Sequence, residues 1–283
     1  MTVAAGGTEF GLALAALSAL STAGAHALLK AGRDKLAVQA WIRLVGLGFA
    51  LPLVVLSPLP GARLLGWIAG AAAIHALYQA LLIRSYTWND FAAAYPVARG
   101  TGALLAAGGG LLLLGERIPL GQVAGILLVV AGIAGLTIGA RLTRHGLAVA
   151  LATGALTAAY SLVDARAMRI APEIGTFLGW FFLADAVSMP TLFALRRAKG
   201  TRLAALWSER RTGVLAGIGA LASFVPALIA YRYAPTGAVN ALRETSILGA
   251  LIAGRLWLGE RPGWWHWLAG ITIAVGAVAI VAG

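Results

Sequence analysis

Long apolar runs dominate this chain, and they restrict the medium in which it can fold. Roughly 20 apolar residues are needed for a helix to cross a bilayer. Runs near that length fall at about 10–30, 37–57, 64–85, 90–114, 119–139, 146–166, 174–195, 212–232, 236–257 and 263–282. With 60% hydrophobic and 11% charged residues, the chain is too apolar for one soluble core with a polar surface. Strands of a membrane barrel would need short alternating segments instead. The sequence therefore predicts an all-α membrane protein with ten transmembrane helices.

The links between the runs combine charge with Gly or Pro, as in SPLPGAR, GERIP and RRAKGTRLAALWSERR. A net charge of +12 would suit nucleic acid. The basic residues, however, lie mainly in these links, where the positive-inside rule and anionic lipid heads explain them. We expect a lipid bilayer and no nucleic acid as partner. Because most Lys and Arg residues follow odd-numbered runs, those links should be cytoplasmic and both termini should face outward.

Several kinds of site are excluded by what the sequence lacks. There is no cysteine, which rules out disulfides and thiolate sites. The four histidines show no metal-ligand spacing. No GxxxxGK[ST] phosphate loop occurs, which argues against ATP-driven transport by this chain alone. We expect no cofactor and no metal.

An internal repeat divides the chain into two halves. YPVARGTGALLAAGGGLLLLGER, from Tyr95, aligns with VNALRETSILGALIAGRLWLGER, from Val239, and Arg99 falls on Arg243. GLALAALSALSTA near the N-terminus likewise resembles GLAVALATGALTA at the start of the second half. We predict one five-helix repeat over residues 1–144 and a second over 145–283. An odd number of crossings forces the copies into opposite orientations, with a solute site near the midplane between them.

The repeat also carries a family resemblance. Each half has a helix closed by LGER and followed by a glycine-rich helix, GQVAGILLVVAGIAGL and then HWLAGITIAVGAVAIV. This pattern resembles the drug/metabolite transporter superfamily, specifically its members with two EamA domains, over essentially the whole chain. The resemblance implies alternating-access transport of small metabolites such as amino acids or sugar phosphates, as an exporter or exchanger. We accordingly expect a multi-pass protein of the bacterial inner membrane, monomeric or homodimeric, coupled to a proton or a counter-substrate.

Two arginines lie near the middle of apolar runs, where a charge is costly and marks a functional site or an ion pair. Arg99 and Arg243 could offer forked donors to a carboxylate, phosphonate or phosphate on a solute. Alternatively each is neutralised by a protein carboxylate, or one is paired and the other is not. Tyr95 lies one turn before Arg99, and Asn240 lies three residues before Arg243, so each shares a helix face with its arginine. We predict that these two residues also bind the solute.

Two acids could supply those carboxylates. Glu244 directly follows Arg243, so the two side chains point about 100° apart and should not pair with each other. Asp185 lies halfway along the seventh run, within reach of Arg99, Arg43 or Arg243. Each acid could carry a proton during transport or form a fixed ion pair.

Polar stripes mark further candidate cavity walls. His75, Tyr78 and Gln79 share one face of the third helix. The sixth helix carries a comparable stripe that includes Tyr160, together with Thr157, Ser161 and Asp164. We predict that His75, Tyr78, Gln79 and Tyr160 contact the solute.

Outside these stripes, a few large residues leave more than one role open. Trp41 and Trp180 could wall the cavity or face lipid. Glu116 and Glu260 are interpreted as turn and interface residues that pair with a neighbouring arginine. No catalytic constellation is present, so we predict a transporter rather than an enzyme. The alternatives are a membrane-embedded enzyme acting on lipid-linked substrates and a non-transporting scaffold.

Overall fold

The computed structural model is built from α-helices, and it describes residues 7–31, 33–88, 91–136, 143–248 and 263–283. Side chains are described over the same ranges except 23–31 and 82–96. No β-strand occurs in these ranges, as the predicted all-α class requires. The helices are α1 Thr8–Ala31, α2 Lys35–Leu56, α3 Ala62–Trp88, α4 Phe91–Leu113, α5 Leu120–Gly135, α6 Arg144–Ile170, α7 Ile174–Asp185, α8 Ser188–Arg196, α9 Arg202–Ser208, α10 Arg210–Tyr233, α11 Thr236–Glu244 and α12 Trp264–Ala282.

Six segments in the described ranges are long and apolar enough to cross a membrane, which makes the chain a multi-pass membrane protein. They are Lys35–Leu56, Ala62–Leu81, Arg144–Ile170, Ile174–Arg196, Arg210–Tyr233 and Trp264–Ala282. Shorter apolar helical stretches occur at Thr8–Thr22, Val97–Leu113 and Leu120–Gly135. Leucines such as Leu112 and Leu120 are 86% and 87% exposed. Lipid tails solvate such side chains at no cost, so they mark the outer surface.

Helix pairs from different parts of the chain form the interior. α1 packs against α10, α4 and α3 both pack against α6, and α5 packs against α12. α2 contacts α7 and α10, and α11 lies between α4 and α1. Every residue of α11 is buried. This short helix is therefore the innermost element, and it carries Asn240, Arg243 and Glu244.

Glycine permits the closest of these helix contacts. A Cβ on Gly125 of α5 would lie 2.6 Å from the carbonyl oxygen of Gly276 in α12. A Cβ on Gly276 would lie 2.7 Å from the carbonyl oxygen of Gly125. No side chain fits at such distances, so the two backbones approach directly, as small residues allow in membranes.

Two runs that the sequence predicts as continuous helices are broken. The 174–195 run is split after Asp185, and α8 begins at Ser188, whose hydroxyl donates to the Asp185 carbonyl at 2.8 Å. The 236–257 run is interrupted after Glu244, where the Thr245 hydroxyl donates to the Leu242 carbonyl at 2.7 Å. Residues 249–257 of that run lie outside the described ranges. In both cases a hydroxyl supplies a bond that the helix ladder would otherwise make.

The polar link RRAKGTRLAALWSERR is also more ordered than its composition predicts. It contains a 3₁₀ turn, Lys199–Thr201, followed by the short helix α9. Ala205 and Leu206 of α9 pack against a small apolar cluster at the start of α2. Local apolar contacts, rather than the average polarity of the segment, therefore order this link.

Candidate functional site

A cavity of about 150 Å³ lies inside the helix bundle and is lined from both halves of the chain. An engineered cavity of about that volume holds benzene, so a group of similar size fits here. Its polar and charged lining residues, together with the rings of Phe182 and Phe224, are Thr22, Gln39, Arg43, His75, Tyr78, Gln79, Arg99, Tyr160, Asp185, Ser223 and Arg243. Six of the sequence-predicted site residues thus reach one space, as does the acid Asp185.

Arg99 is paired with a carboxylate. Its Nε donates to Oε2 of Glu244 at 2.6 Å, and both side chains are buried. Glu244 comes from α11 in the second half, and Arg99 comes from α4 in the first. The ion pair therefore joins the two halves beside the cavity.

Arg243 lacks a carboxylate partner among the described residues. Its Nε donates to the Ser18 hydroxyl at 3.1 Å, and its guanidinium carbon lies 5.6 Å from the centroid of the Phe224 ring. The side chain is only 6% exposed and lines the cavity. A hydroxyl and a ring face offset the desolvation cost of a buried cation only partly. An anion entering the cavity would neutralise the charge of Arg243.

A third arginine lies against the cavity with its own acid. The Arg43 Nε and the Asp185 Oδ2 are 3.1 Å apart. The N–H does not point at the oxygen, so the contact is an ion pair without a hydrogen bond. The Asp185 Oδ1 is buried with no hydrogen-bond partner in the described part of the chain. Arg43 was one of three partners that the sequence left open for Asp185.

His75 connects the cavity wall to a buried acid. Its Nε2 lies 2.9 Å from Oδ2 of Asp164, which is fully buried. The imidazole is surrounded by the rings of Tyr160, Phe181 and Phe224, at centroid distances of 4.3, 5.1 and 5.3 Å. The aromatic rings and Asp164 fix the ring orientation of His75.

The remaining stripe residues follow the same wall. Tyr78 and Tyr160 meet edge to face at 5.3 Å, and Gln39 Nε2 donates to Gln79 Oε1 at 3.4 Å. Gln39 is a residue that sequence reasoning missed, although a glutamine inside an apolar run is a detectable signal. Ser223 and Phe224 were also missed, and their side-chain types are too common in membrane helices to reveal them.

One predicted site residue, and two whose role the sequence left open, lie outside the cavity wall. Asn240 does not line the cavity. Its Oδ1 accepts from Tyr231 and Ser161, both at 3.2 Å, and its Nδ2 donates to the Thr236 carbonyl. Trp41 and Trp180 are not part of the wall either. The Trp41 indole donates to the Leu206 carbonyl at 2.8 Å.

The side chain of Tyr95 and all of Glu260 lie outside what the structure describes. The described residues contain no cluster of three His, Asp or Glu side chains that could hold a metal ion.

A second buried network joins the halves away from the cavity. The Glu116 carboxylate accepts from the Thr236 backbone N–H at 2.9 Å, the Thr236 hydroxyl at 2.5 Å and the Arg169 Nη2 at 2.6 Å. Arg169 also donates to the backbone carbonyl of Tyr231 at 2.8 Å. Glu116 thus caps the start of α11 and pairs with an arginine, as its interpretation as an interface residue predicts.

The fold and cavity together define a multi-pass helical membrane protein with a charged internal site. Residues 144–282 match the model of the EamA-like transporter family. A crystal structure of another protein matches the whole fold, with a TM-score of 0.71 and 19% sequence identity over 96% of this chain and 97% of that one. No curated protein sequence matches the chain. Residues 144–282 therefore form an EamA-like transporter domain, which supports the resemblance to the drug/metabolite transporter group predicted from the repeat.

Proposed function

We propose that the protein is a secondary active transporter of a small organic solute bearing a carboxylate, phosphonate or phosphate group, and that it catalyses no covalent chemistry. The observation that carries this proposal is Arg243, a buried guanidinium at a cavity between the halves, with no carboxylate partner among the described residues. Amino-acid-like solutes fit the cavity volume. We place the protein in the bacterial inner membrane, where it acts as an exporter or exchanger.

Alternating access requires two halves that can rock against each other around one site. We propose ten crossings in two inverted five-helix repeats, residues 1–144 and 145–283, with α7 and α8 forming one crossing and α11 beginning the ninth. The helix contacts support this arrangement. α1 packs on α10 as α6 packs on α3, and α4 packs on α6 as α11 packs on α1. Exchange of the two halves by a twofold axis would produce such paired contacts.

The roles proposed for the charged groups follow from their partners. Arg243 binds the anionic group through its forked N–H donors. Arg99 is held by Glu244, so an anionic solute that reaches Arg99 has to displace a carboxylate. A protonated Glu244 would release Arg99 more readily, which offers a route to proton coupling. Asp185, bound to Arg43, offers a comparable route.

The uncharged wall would set the shape of the site. His75, Tyr78, Gln79 and Tyr160 lie around the same space and offer hydrogen-bonding groups beside aromatic faces. Such a wall suits a solute that has an apolar body and a polar end.

Counterflow into proteoliposomes tests the proposal. Vesicles preloaded with an unlabelled amino acid, phosphonate or phosphate are assayed for uptake of the labelled form. We expect Arg243→Met to abolish uptake without loss of yield. Arg243→Lys should keep the positive charge but lose the paired N–H donors of the guanidinium, which should lower the apparent affinity for the solute about ten-fold.

The matched control is Arg63→Met, which removes an exposed arginine at the start of α3. It should transport like the wild type. Undiminished uptake by Arg243→Met would refute the role of Arg243, and the absence of counterflow with every anionic solute tried would count against transport of this class.

A further inference from the structure

A groove on the outside of the bundle, separate from the cavity, has the chemistry of a lipid head-group site. Trp41, Trp207, Arg210, Arg211 and Leu215 line it together with Val214, and its volume is about 480 Å³. It lies where the link after α8 meets the start of α10. This feature does not depend on the proposed transport function.

The groove is positioned at a membrane surface. The segment 197–209 joins two membrane spans, Ile174–Arg196 and Arg210–Tyr233, so it lies at one membrane face. α9 is held there by the bond from the Trp41 indole to the Leu206 carbonyl. Leu203 and Trp207, four residues apart on the outer face of α9, are 82% and 64% exposed. Lipid is the medium in which such a face is stable.

The wider segment 196–211 carries a strongly positive charge that is little neutralised. Its basic residues are Arg196, Arg197, Lys199, Arg202, Arg210 and Arg211. Its one acid, Glu209, is buried and accepts the backbone N–H groups of Arg33 and Asp34, both at 3.1 Å. Arg197 pairs with Asp34. In the described part of the chain Arg211 has no carboxylate partner and is exposed.

Two local contacts make the groove a shaped site rather than a diffuse patch. The Arg210 guanidinium lies 4.5 Å from the centroid of the Trp207 ring, and its Nη1 donates to the Trp207 carbonyl at 2.9 Å. This fixes Arg210 at the rim with N–H donors to spare, beside Arg211. Val214 and Leu215 continue the groove along α10 toward the membrane interior.

We propose that this groove binds an anionic phospholipid, with the phosphate between Arg210 and Arg211 and an acyl chain along Val214 and Leu215. A soluble anion would satisfy the arginines but would leave the apolar floor and the outer face of α9 in water. Anionic lipid is attracted by about 1 kcal/mol for each basic residue at the surface. That corresponds to about a five-fold change in affinity for each arginine removed.

Native mass spectrometry of the purified protein, with phosphatidylglycerol or phosphatidylcholine added at equal concentration, tests the assignment. We expect wild type to retain phosphatidylglycerol preferentially, Arg211→Gln to bind it about five-fold more weakly, and Arg211→Lys to restore most of the affinity. Arg210→Gln/Arg211→Gln should lose more than either single change. Arg211 makes no contact in the described structure that folding needs, so its variants should fold even if those of Arg210 do not.

Arg63→Gln is the matched control. Arg63 is exposed at the start of α3, beyond the far end of α2, and that end lies about 23 Å along the helix from Trp41 in the groove. It should bind phosphatidylglycerol like the wild type. Equal retention of the two lipids, or unchanged affinity in Arg211→Gln, would overturn the proposal. Displacement of the lipid by inorganic phosphate at matched concentration would also overturn it, since it would indicate a site for free anions.

Discussion

Two arginines at equivalent positions of the repeat have different electrostatic surroundings. Arg99 is followed by Gly100, whereas Arg243 is followed by Glu244. The Glu244 side chain points away from its neighbour and across to α4, where it neutralises Arg99. One carboxylate therefore serves the arginine of the opposite half. Arg243 contacts the Ser18 hydroxyl and the Phe224 ring and has no carboxylate within ion-pair distance among the described residues, which is the asymmetry that an anionic solute could use.

The first prediction concerns the stability of this ion pair. Arg99→Met should strand the buried Glu244 carboxylate and lower the free energy of unfolding by about 3–5 kcal/mol. Arg99→Met/Glu244→Gln removes both charges and should recover most of that loss. Thermal melts of the purified variants in detergent measure it. Arg243→Met strands no described carboxylate and should melt close to wild type. If the Arg99 variant were as stable as that one, the pair would have no structural role.

Between elements, the Glu116 network links the halves outside the cavity. Gly115, with φ of 64°, occupies the left-handed region and turns the chain after α4. This turn directs Glu116 back toward the start of α11. The Arg169 guanidinium reaches the same carboxylate from the end of α6, so three helix ends are fixed by one side chain.

Glu116→Ala should therefore be strongly destabilising, because it leaves Arg169 buried without its counter-charge and the Thr236 N–H without an acceptor. We expect a loss of about 3–5 kcal/mol. Glu173→Ala is the control, since Glu173 is exposed and makes no side-chain capping bond at α7. It should change stability by less than about 0.5 kcal/mol. Similar melting of the two variants would contradict the assigned role of the network.

A second element-scale prediction tests the direct backbone contact between α5 and α12. Gly125→Ala should destabilise, because its Cβ would meet the Gly276 carbonyl oxygen at 2.6 Å and force the helices apart. Gly66→Ala makes the same change in α3, where a Cβ would meet nothing within 4 Å. That variant should be neutral or gain up to about 1 kcal/mol from helix propensity. The difference between the two melting temperatures is the measurement.

The sequence predicts helix class and most span positions because hydropathy records which residues contact lipid. It does not predict the breaks after Asp185 and Glu244. A side-chain hydroxyl that replaces a backbone hydrogen bond of the helix leaves the hydropathy of the run unchanged. Nor does it select Arg43 for Asp185. That choice depends on how helices rotate about their axes, which is decided by packing with distant elements. The placement of Asn240 against Tyr231, away from the cavity, has the same cause.

For the molecule as a whole, the two helix breaks have a shared geometry. Each follows a carboxylate that is paired with an arginine of the first half, Asp185 with Arg43 and Glu244 with Arg99. Interrupted helices near the midplane are the common means by which transporters expose polar backbone to a solute. The ion pairs hold these breaks against the first half, so under the proposed alternating-access mechanism they would have to open before one half could move relative to the other.

Membrane orientation is the last prediction, and the lack of native cysteine makes it directly measurable. Basic links should be cytoplasmic, which places the 196–211 segment inside and the link after α2 outside. Leu59 is 78% exposed in that second link, and a Cβ on Gly200 would meet nothing within 4 Å, so each tolerates a cysteine. In intact cells a membrane-impermeant maleimide should label Leu59→Cys at once and Gly200→Cys only after lysis. The reverse pattern would invert the topology, placing the Glu116 network at the cytoplasmic end and the proposed lipid groove in the outer leaflet. Because the α2–α3 link and the 196–211 segment lie at opposite ends of the spans, one pair of variants decides the orientation of the whole bundle.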